Sequence, residues 1–261
     1  MSYEPPQKGN PNKLTINQHT FPRASIARFA GPSGRVQLFH TESKKVFPAK
    51  PTERLFCAQR VWAQSAESGY MKDVEDAFQA LAEAILDGRV HRFDLIEASI
   101  ISAFYCLWNI RAHFKRLPIE DQSFARTGVV GLARHYTKDD QERLEINGIF
   151  SIRPDLTMAG RFLTSPQISQ NLMMAVESMG DAQWGILHAM EGEFIVPDNF
   201  NQMRVVPISP TICLWSQTSR PVELLDRHAV AEINRGAIRS SIDYYFARNL
   251  DQCPILPGHL F

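Results

Sequence analysis

The chain has 261 residues, 44% of them hydrophobic, with 16 Phe and 4 Trp, enough apolar volume for one large domain or two small ones. Lys+Arg and Asp+Glu number 28 each, so no molecule-wide basic field exists to attract a polyanion, and there is no strong electrostatic case for a nucleic-acid partner. Cys57, Cys106, Cys213 and Cys253 form no Cys-x-x-Cys pair and fall mostly in apolar runs, a usage that points to a reducing cytoplasm and argues against structural zinc.

In chain order, residues 1–13 are rich in Pro, Asn, Gln and Lys, with no apolar stretch to act as a signal peptide. They read as a flexible N-terminal arm ahead of a single domain, 14–261. A polar constellation, Gln18-His19-Thr20-Phe21-Pro22, leads through Arg23 to Phe29 into a Gly31-Pro32-Ser33-Gly34 turn. Alternation over Arg35–His40, a polar turn and a resumption at Lys45-Val46-Phe47 predict a β-hairpin. From Tyr70 to Leu86, apolar residues recur at helical steps, and Gly88 supplies the stop. Asp94 is placed to cap a second helix, apolar on nearly every side until Arg111, with Pro118 beyond its basic end. Its core, Leu95 to Ile110, is broken by Glu97, Ser99, Ser102 and Asn109 and falls short of the roughly 20 residues that cross a bilayer, so no membrane insertion is expected.

Beyond a mixed stretch containing a solvated helical turn at 138–143, Ser165-Pro166 is expected to open a helix through Met179. Four short β segments follow: Gln183–His188, Glu193–Val196, Met203–Val206 and Thr211–Trp215, which fit an antiparallel meander. A closing helix is expected over Arg227–Arg248. The predicted class is α+β: an N-terminal hairpin, central packed helices, a C-terminal antiparallel meander and a closing helix.

Standard catalytic signatures are absent: no Gly-x-x-x-x-Gly-Lys-Ser/Thr, Gly-x-Gly-x-x-Gly, Gly-x-Ser-x-Gly or His-Glu-x-x-His. Arg35 and His40 have the spacing of a helical ribonuclease pair, but on a strand the two side chains point to opposite faces. Glu42-x-Lys44 is half of a metal-dependent nuclease pattern, placed in a turn with no aspartate on a preceding strand.

The order of the remaining pieces resembles a bacterial family known as the domain of unknown function numbered four-two-three-eight. That family opens with His-Tyr-x-Pro-x-x-x-Leu-x-x-Phe; His19, Pro22, Ile26 and Phe29 match, and Thr20 stands where Tyr is usual. Val74-Glu75 fits its Ile-Glu helix pair, and Arg111 the arginine ending its apolar helix, though Ala112-His113 replaces the frequent Thr-Pro. Phe194-Ile195-Val196-Pro197-Asp198-Asn199-Phe200 looks like its Phe-Ile-x-Ser-Asp-Asn-Pro strand end, with Pro197 for Ser and Phe200 for Pro. Pro207 to Pro210 and Asn234 on the last helix also fit. The resemblance implies architecture and candidate positions, and no reaction.

Each candidate has two readings. His19 is a general acid or base, or pins the arm through a ring N–H. Asp198 and Asn199 hold a hard cation such as Mg²⁺ or orient a water, or they end a strand in an Asx-turn. Glu75 is the third catalytic candidate or plain solvent surface. Arg111 clamps a phosphate or carboxylate, or pairs structurally with Glu75 or Asp198. Arg28 and Asn234 complete the candidate substrate-binding set, Asn234 also reading as a helix-surface amide or a core hydrogen-bonder. Two functions follow: a cytoplasmic hydrolase, nuclease chemistry included, on phosphodiester or nucleotide substrates with or without a divalent cation, or a non-catalytic partner-binding or regulatory protein whose polar residues hold the fold. In the hydrolase reading, His19 and Asp198 meet at a shared water, metal or arginine.

Overall fold

The structure, a computed structural model, describes residues 3–124, 136–180, 182–218 and 220–255. The N-terminal constellation begins as strand β1 (Asn17–His19) and turns at Pro22 into the short helix α1 (Arg23–Ala27). The expected hairpin follows as β2 (Val36–His40) and β3 (Lys45–Ala49), with Val36 and Leu38 on the buried face. Strand β4 (Cys57–Gln59) returns to pair antiparallel with β1, setting His19 opposite Cys57. After helix α2 (Gln64–Glu67), the periodic segment forms α3 (Tyr70–Leu86), burying Met71, Phe78, Leu81, Ala82 and Ile85. Gly88, at φ +69°, ends that run in a conformation that favours glycine. Helix α4 (Leu95–Arg116) starts in a capping box between Asp94 and Glu97 and runs more than a turn past Arg111. His113, Lys115 and Arg116 in its last turn complement the carbonyl end of the helix dipole.

Strand β5 (Gln122–Ser123), helix α5 (Lys138–Ile146) and strand β6 (Thr157–Met158) precede helix α6 (Gly160–Met179). The start of α6 lies before Ser165-Pro166, and Pro166 is inside the helix. Close approach sets that start: a Cβ on Gly160 would sit 1.8 Å from the Ile119 carbonyl oxygen, so only glycine lets α6 begin against that chain.

The C-terminal half has β7 (Gly185–Ala189), β8 (Val196–Pro197), β9 (Val205–Ser209), β10 (Ile212–Trp215), β11 (Val222–Leu225), helix α7 (Arg227–Ser240) and β12 (Tyr244–Ala247). The α+β architecture is as expected, while two local assignments change. The 193–196 segment leaves the meander: β8 pairs with β12 in a sheet of order β3-β2-β12-β8, and the other sheet, β11-β7-β10-β9, gains β11 parallel to β7. The closing helix also ends at Ser240 rather than Arg248, because Tyr244 to Ala247 are buried at every position and serve as a central strand.

Aromatic side chains join the helices to this sheet. Phe78 of α3 stacks on Phe104 of α4, with ring centroids 3.6 Å apart, and Phe21 lies 4.6 Å from Trp108 and 6.4 Å from Phe246 of β12. The arm is not free from Glu4 onward: Gln7 and Asn12 donate side-chain amides to Asp139 and Glu142 of α5, since a Pro-, Asn- and Gln-rich segment has few apolar groups to bury but many donors. Among the described residues, no helix is long and apolar enough to cross a membrane. Substituting Gly160→Ala is expected to lower stability by about 1–3 kcal/mol or more, read from the urea midpoint, because backbone on both sides must move.

Candidate functional site

The apolar pattern of α4 carries Arg111 into the interior, where it is 2% exposed. An isolated guanidinium there would be prohibitive, and neighbouring segments supply partners. Glu75 of α3 accepts a hydrogen bond from Nη1, and Glu67 of α2 lies 3.9 Å from Nη2. Nη1 also donates to the His19 carbonyl at 3.4 Å, Nε points at the Met71 sulfur, and the guanidinium carbon sits 5.5 Å from the centre of the Trp62 ring. Trp62 in turn donates its indole N–H to Glu67. Burial pushes the Glu67 carboxyl up, against the pull of Arg111 and the Trp62 bond. For Arg111 the cost of burial is outweighed by Glu75 and Glu67, which raise its pKa. Two carboxylates thus already face the guanidinium, one of them hydrogen-bonded, so Arg111 is the centre of a buried ion-pair cluster.

His19 stands at the edge of this cluster. Its Nε2 lies 3.0 Å from the Pro51 carbonyl oxygen, and since a carbonyl only accepts, Nε2 carries the proton and Nδ1 the lone pair. Burial lowers its pKa from the ordinary 6.5, opposed by the Pro51 bond and by Glu75.

Asp198 lies in a different network. Ile242 N–H at 3.0 Å and the Asn199 amide at 3.1 Å donate to Oδ1, while Asp243 N–H at 2.8 Å and Arg116 Nη1 at 3.1 Å donate to Oδ2. Burial pushes this carboxyl up, and the Asp243 and Ile242 amides with Arg116 pull it back. Asn199 also donates to the Ser240 carbonyl, and the Asp198 carbonyl accepts from the Trp108 indole. The strand end is therefore closed onto the α7–β12 turn, the function of an Asx-type anchor.

The remaining two candidates stand apart from both clusters. Asn234, fully buried on α7, accepts from Ile195 N–H and donates to the carbonyls of Glu193 and Pro254. Arg28 donates to Gln79 at 2.5 Å through Nη2, its buried Nη1 makes no hydrogen bond, and burial lowers its pKa. Three of the candidates, His19, Glu75 and Arg111, are brought together. Asp198 and Asn199 form a second cluster, and Arg28 and Asn234 each stand elsewhere. The expectation that His19 and Asp198 share an arginine is corrected: Arg111 takes the His19 carbonyl and Arg116 takes Asp198, two side chains more than a turn apart on α4. Glu67, Trp62 and Arg116 were not singled out in the sequence. Glu67 sits in a four-residue helix with no periodic pattern, and Arg116 reads as one more cation of a basic helix end.

Among the described residues, no group of three or more His, Cys, Asp or Glu side chains is placed to hold a metal ion. No protein-family profile matches the chain, and neither a curated protein nor a solved structure is found to be similar to it.

Removing Arg111 leaves Glu67 and Glu75 without their counter-charge, so Arg111→Met is expected to cost about 3–5 kcal/mol in chemical denaturation. Adding Glu75→Leu should recover part of the loss. His19 makes a second prediction: with its folded pKa below 6.5, the unfolded chain binds the extra proton, so this contribution is full above that value and lost as pH falls below it. Urea midpoints compared at about pH 7.5 and about pH 5.5 should fall less for His19→Asn than for the parent.

Proposed function

We propose that this is a non-catalytic, partner-binding or regulatory protein of the bacterial cytoplasm, in which the polar residues of the two terminal constellations hold the fold. One observation carries the reading. Both oxygens of Asp198 accept two hydrogen bonds each from protein donors, which uses the lone-pair sites of a carboxylate and leaves none for a metal, a water or a substrate. Placement in the four-two-three-eight family belongs to the same reading. It is supported by His19, Pro22, Ile26 and Phe29, of which Ile26 and Phe29 are fully buried, and by the anchoring role of Asp198-Asn199. Four free, buried cysteines support the cytoplasmic assignment.

A second reading rests on His19. Its Nε2 proton is held by the Pro51 carbonyl, which leaves Nδ1 unprotonated and able to act as a general base, and a hydrolase acting on phosphodiesters or nucleotides would use it, with Mg²⁺ entering only with the substrate. A panel of nucleotides and a nitrophenyl phosphodiester, each with and without Mg²⁺, separates the two. Saturable turnover abolished by His19→Asn supports the hydrolase; its absence supports the binding protein.

In the favoured reading, Asp198→Asn is expected to lower stability by about 1–3 kcal/mol in thermal and urea melts, through donors left facing an amide. Unchanged stability with loss of a measured activity would overturn it.

A further inference from the structure

Away from both networks, four cations converge on one residue of the N-terminal arm, three on its carboxylate and one on its backbone carbonyl. Glu4 accepts from Lys138 on one oxygen and from Arg153, at 2.8 Å, and Arg161 on the other, while its backbone carbonyl accepts from Arg60 at 2.9 Å. The rest of the cluster is built into the domain. Arg60 and Arg161 share Glu145, at 2.7 and 3.0 Å, and Arg153 pairs with Asp121 at 2.5 Å. Four cations against Glu145 and Asp121 leave two positive charges, and Glu4 supplies one negative charge to meet them. Against burial, Arg161 and hydrogen bonds from Lys138, Arg153 and Arg161 hold the Glu4 carboxyl far below the usual carboxylate range.

Independent of Glu4, the site shows a demand for more acceptor. Arg60 is 4% exposed, and its buried Nε has no hydrogen-bond partner. Arg60 also holds φ at +50°, outside the region most residues adopt. The α5 carboxylates Asp139 and Glu142 accept from the amides of Gln7 and Asn12 rather than from these cations, and Asp139 pairs with Arg143.

We propose that Lys138, Arg153, Arg161 and Arg60 form a binding site for a small phosphate-bearing ligand, and that Glu4 is its intramolecular occupant. A phosphate group offers three oxygens and up to two charges, which suits two excess cations and forked guanidinium donors better than one carboxylate does. Ligand entry displaces Glu4 and frees the arm, whose other side-chain bonds are those of Gln7 and Asn12 with α5 and of Asn10 with Leu14. The site is separate from the His19 and Asp198 clusters, so it stands or falls apart from the binding-protein reading.

The test is calorimetric titration of the full chain with inorganic phosphate, and separately with a nucleoside monophosphate, against chloride at matched ionic strength. Glu4→Gln keeps the arm's shape and removes the competing charge. It is expected to bind phosphate about tenfold or more tightly than the parent, a difference of about 1.4 kcal/mol. Adding Arg161→Gln should abolish the gain. Preference for the monophosphate identifies an esterified ligand, and equal affinity identifies the phosphate group alone as what is recognised; both support the site. Equal phosphate affinity of Glu4→Gln and parent, or none in either, overturns it. Amide hydrogen exchange on the unaltered chain gives a second measurement that needs no substitution. Saturating phosphate should accelerate exchange across residues 3–13, and unchanged exchange there overturns the displacement.

Discussion

A guanidinium buried in an apolar helix is the constraint from which the surrounding structure follows. Arg111 brings five N–H donors and a full charge to a place where water does not reach, and each neighbour answers one of those demands: Glu75 and Glu67 the charge, the His19 carbonyl a donor, and the Trp62 ring the cationic face. Those partners come from α3, from α2, from β1 and from the segment after β4, so one side chain fixes how four segments sit on α4. A pair of this kind adds little net stability over an apolar substitute of the same volume. What it specifies is register, because a shift of α3 along α4 separates Glu75 from Arg111.

The same helix performs this service repeatedly along its second half. Tyr105 donates to the Phe200 carbonyl, Asn109 accepts from Phe200 N–H, Trp108 donates to the Asp198 carbonyl, Lys115 to that of Leu55 at 2.5 Å, and Arg116 to the Asp198 side chain. Irregular chain packed against an apolar helix exposes backbone groups that must be paired, and long polar side chains on that helix reach them. The Asp-Asn strand end and the His-x-x-Pro segment are therefore among the stretches of backbone that α4 holds in place. That position accounts for part of their polar character.

Much of this was legible in the sequence, for identifiable reasons. Regular burial writes a period, so α3 emerges from Tyr70 to Leu86 with both ends correct, and the hairpin from Arg35 to Phe47 with its turn. Tyr244 to Ala247 write none: a strand buried on both faces is a plain apolar run, which also continues the pattern of the helix before it. Strand β8 pairs through only two residues, too few for alternation to reveal which sheet receives it. In the site, residue types were legible and partners were not. Arg111 and Arg116 both lie toward the basic end of one helix, and only the positions of His19 and Asp198 in space divide the two arginines between them. The arm misled for a related reason, since its composition signals absence of a core, while its docking depends on cations more than 50 residues away.

The two clusters are distinct in their partners but are joined by shared neighbours. Thr20 follows His19, whose carbonyl is held by Arg111; its own N–H and hydroxyl both donate to the Phe56 carbonyl, at 3.1 and 3.3 Å. Its hydroxyl is also the polar neighbour of the Tyr244 phenol, which makes no well-formed hydrogen bond. Burial pushes that phenol well up, and the nearby Asp198 carboxylate adds to the shift, so Tyr244 stays neutral at any physiological pH. Tyr244 also lies beneath the Lys115 ammonium, 5.2 Å from its ring centre, and its carbonyl accepts from Asp198 N–H. Thr20 and Tyr244 therefore bridge the His19 segment to Asp198, and both ends are held by side chains of one helix. Both segments thus pack on one helix and on one another through Thr20 and Tyr244, which is why two constellations far apart in the chain belong to one core.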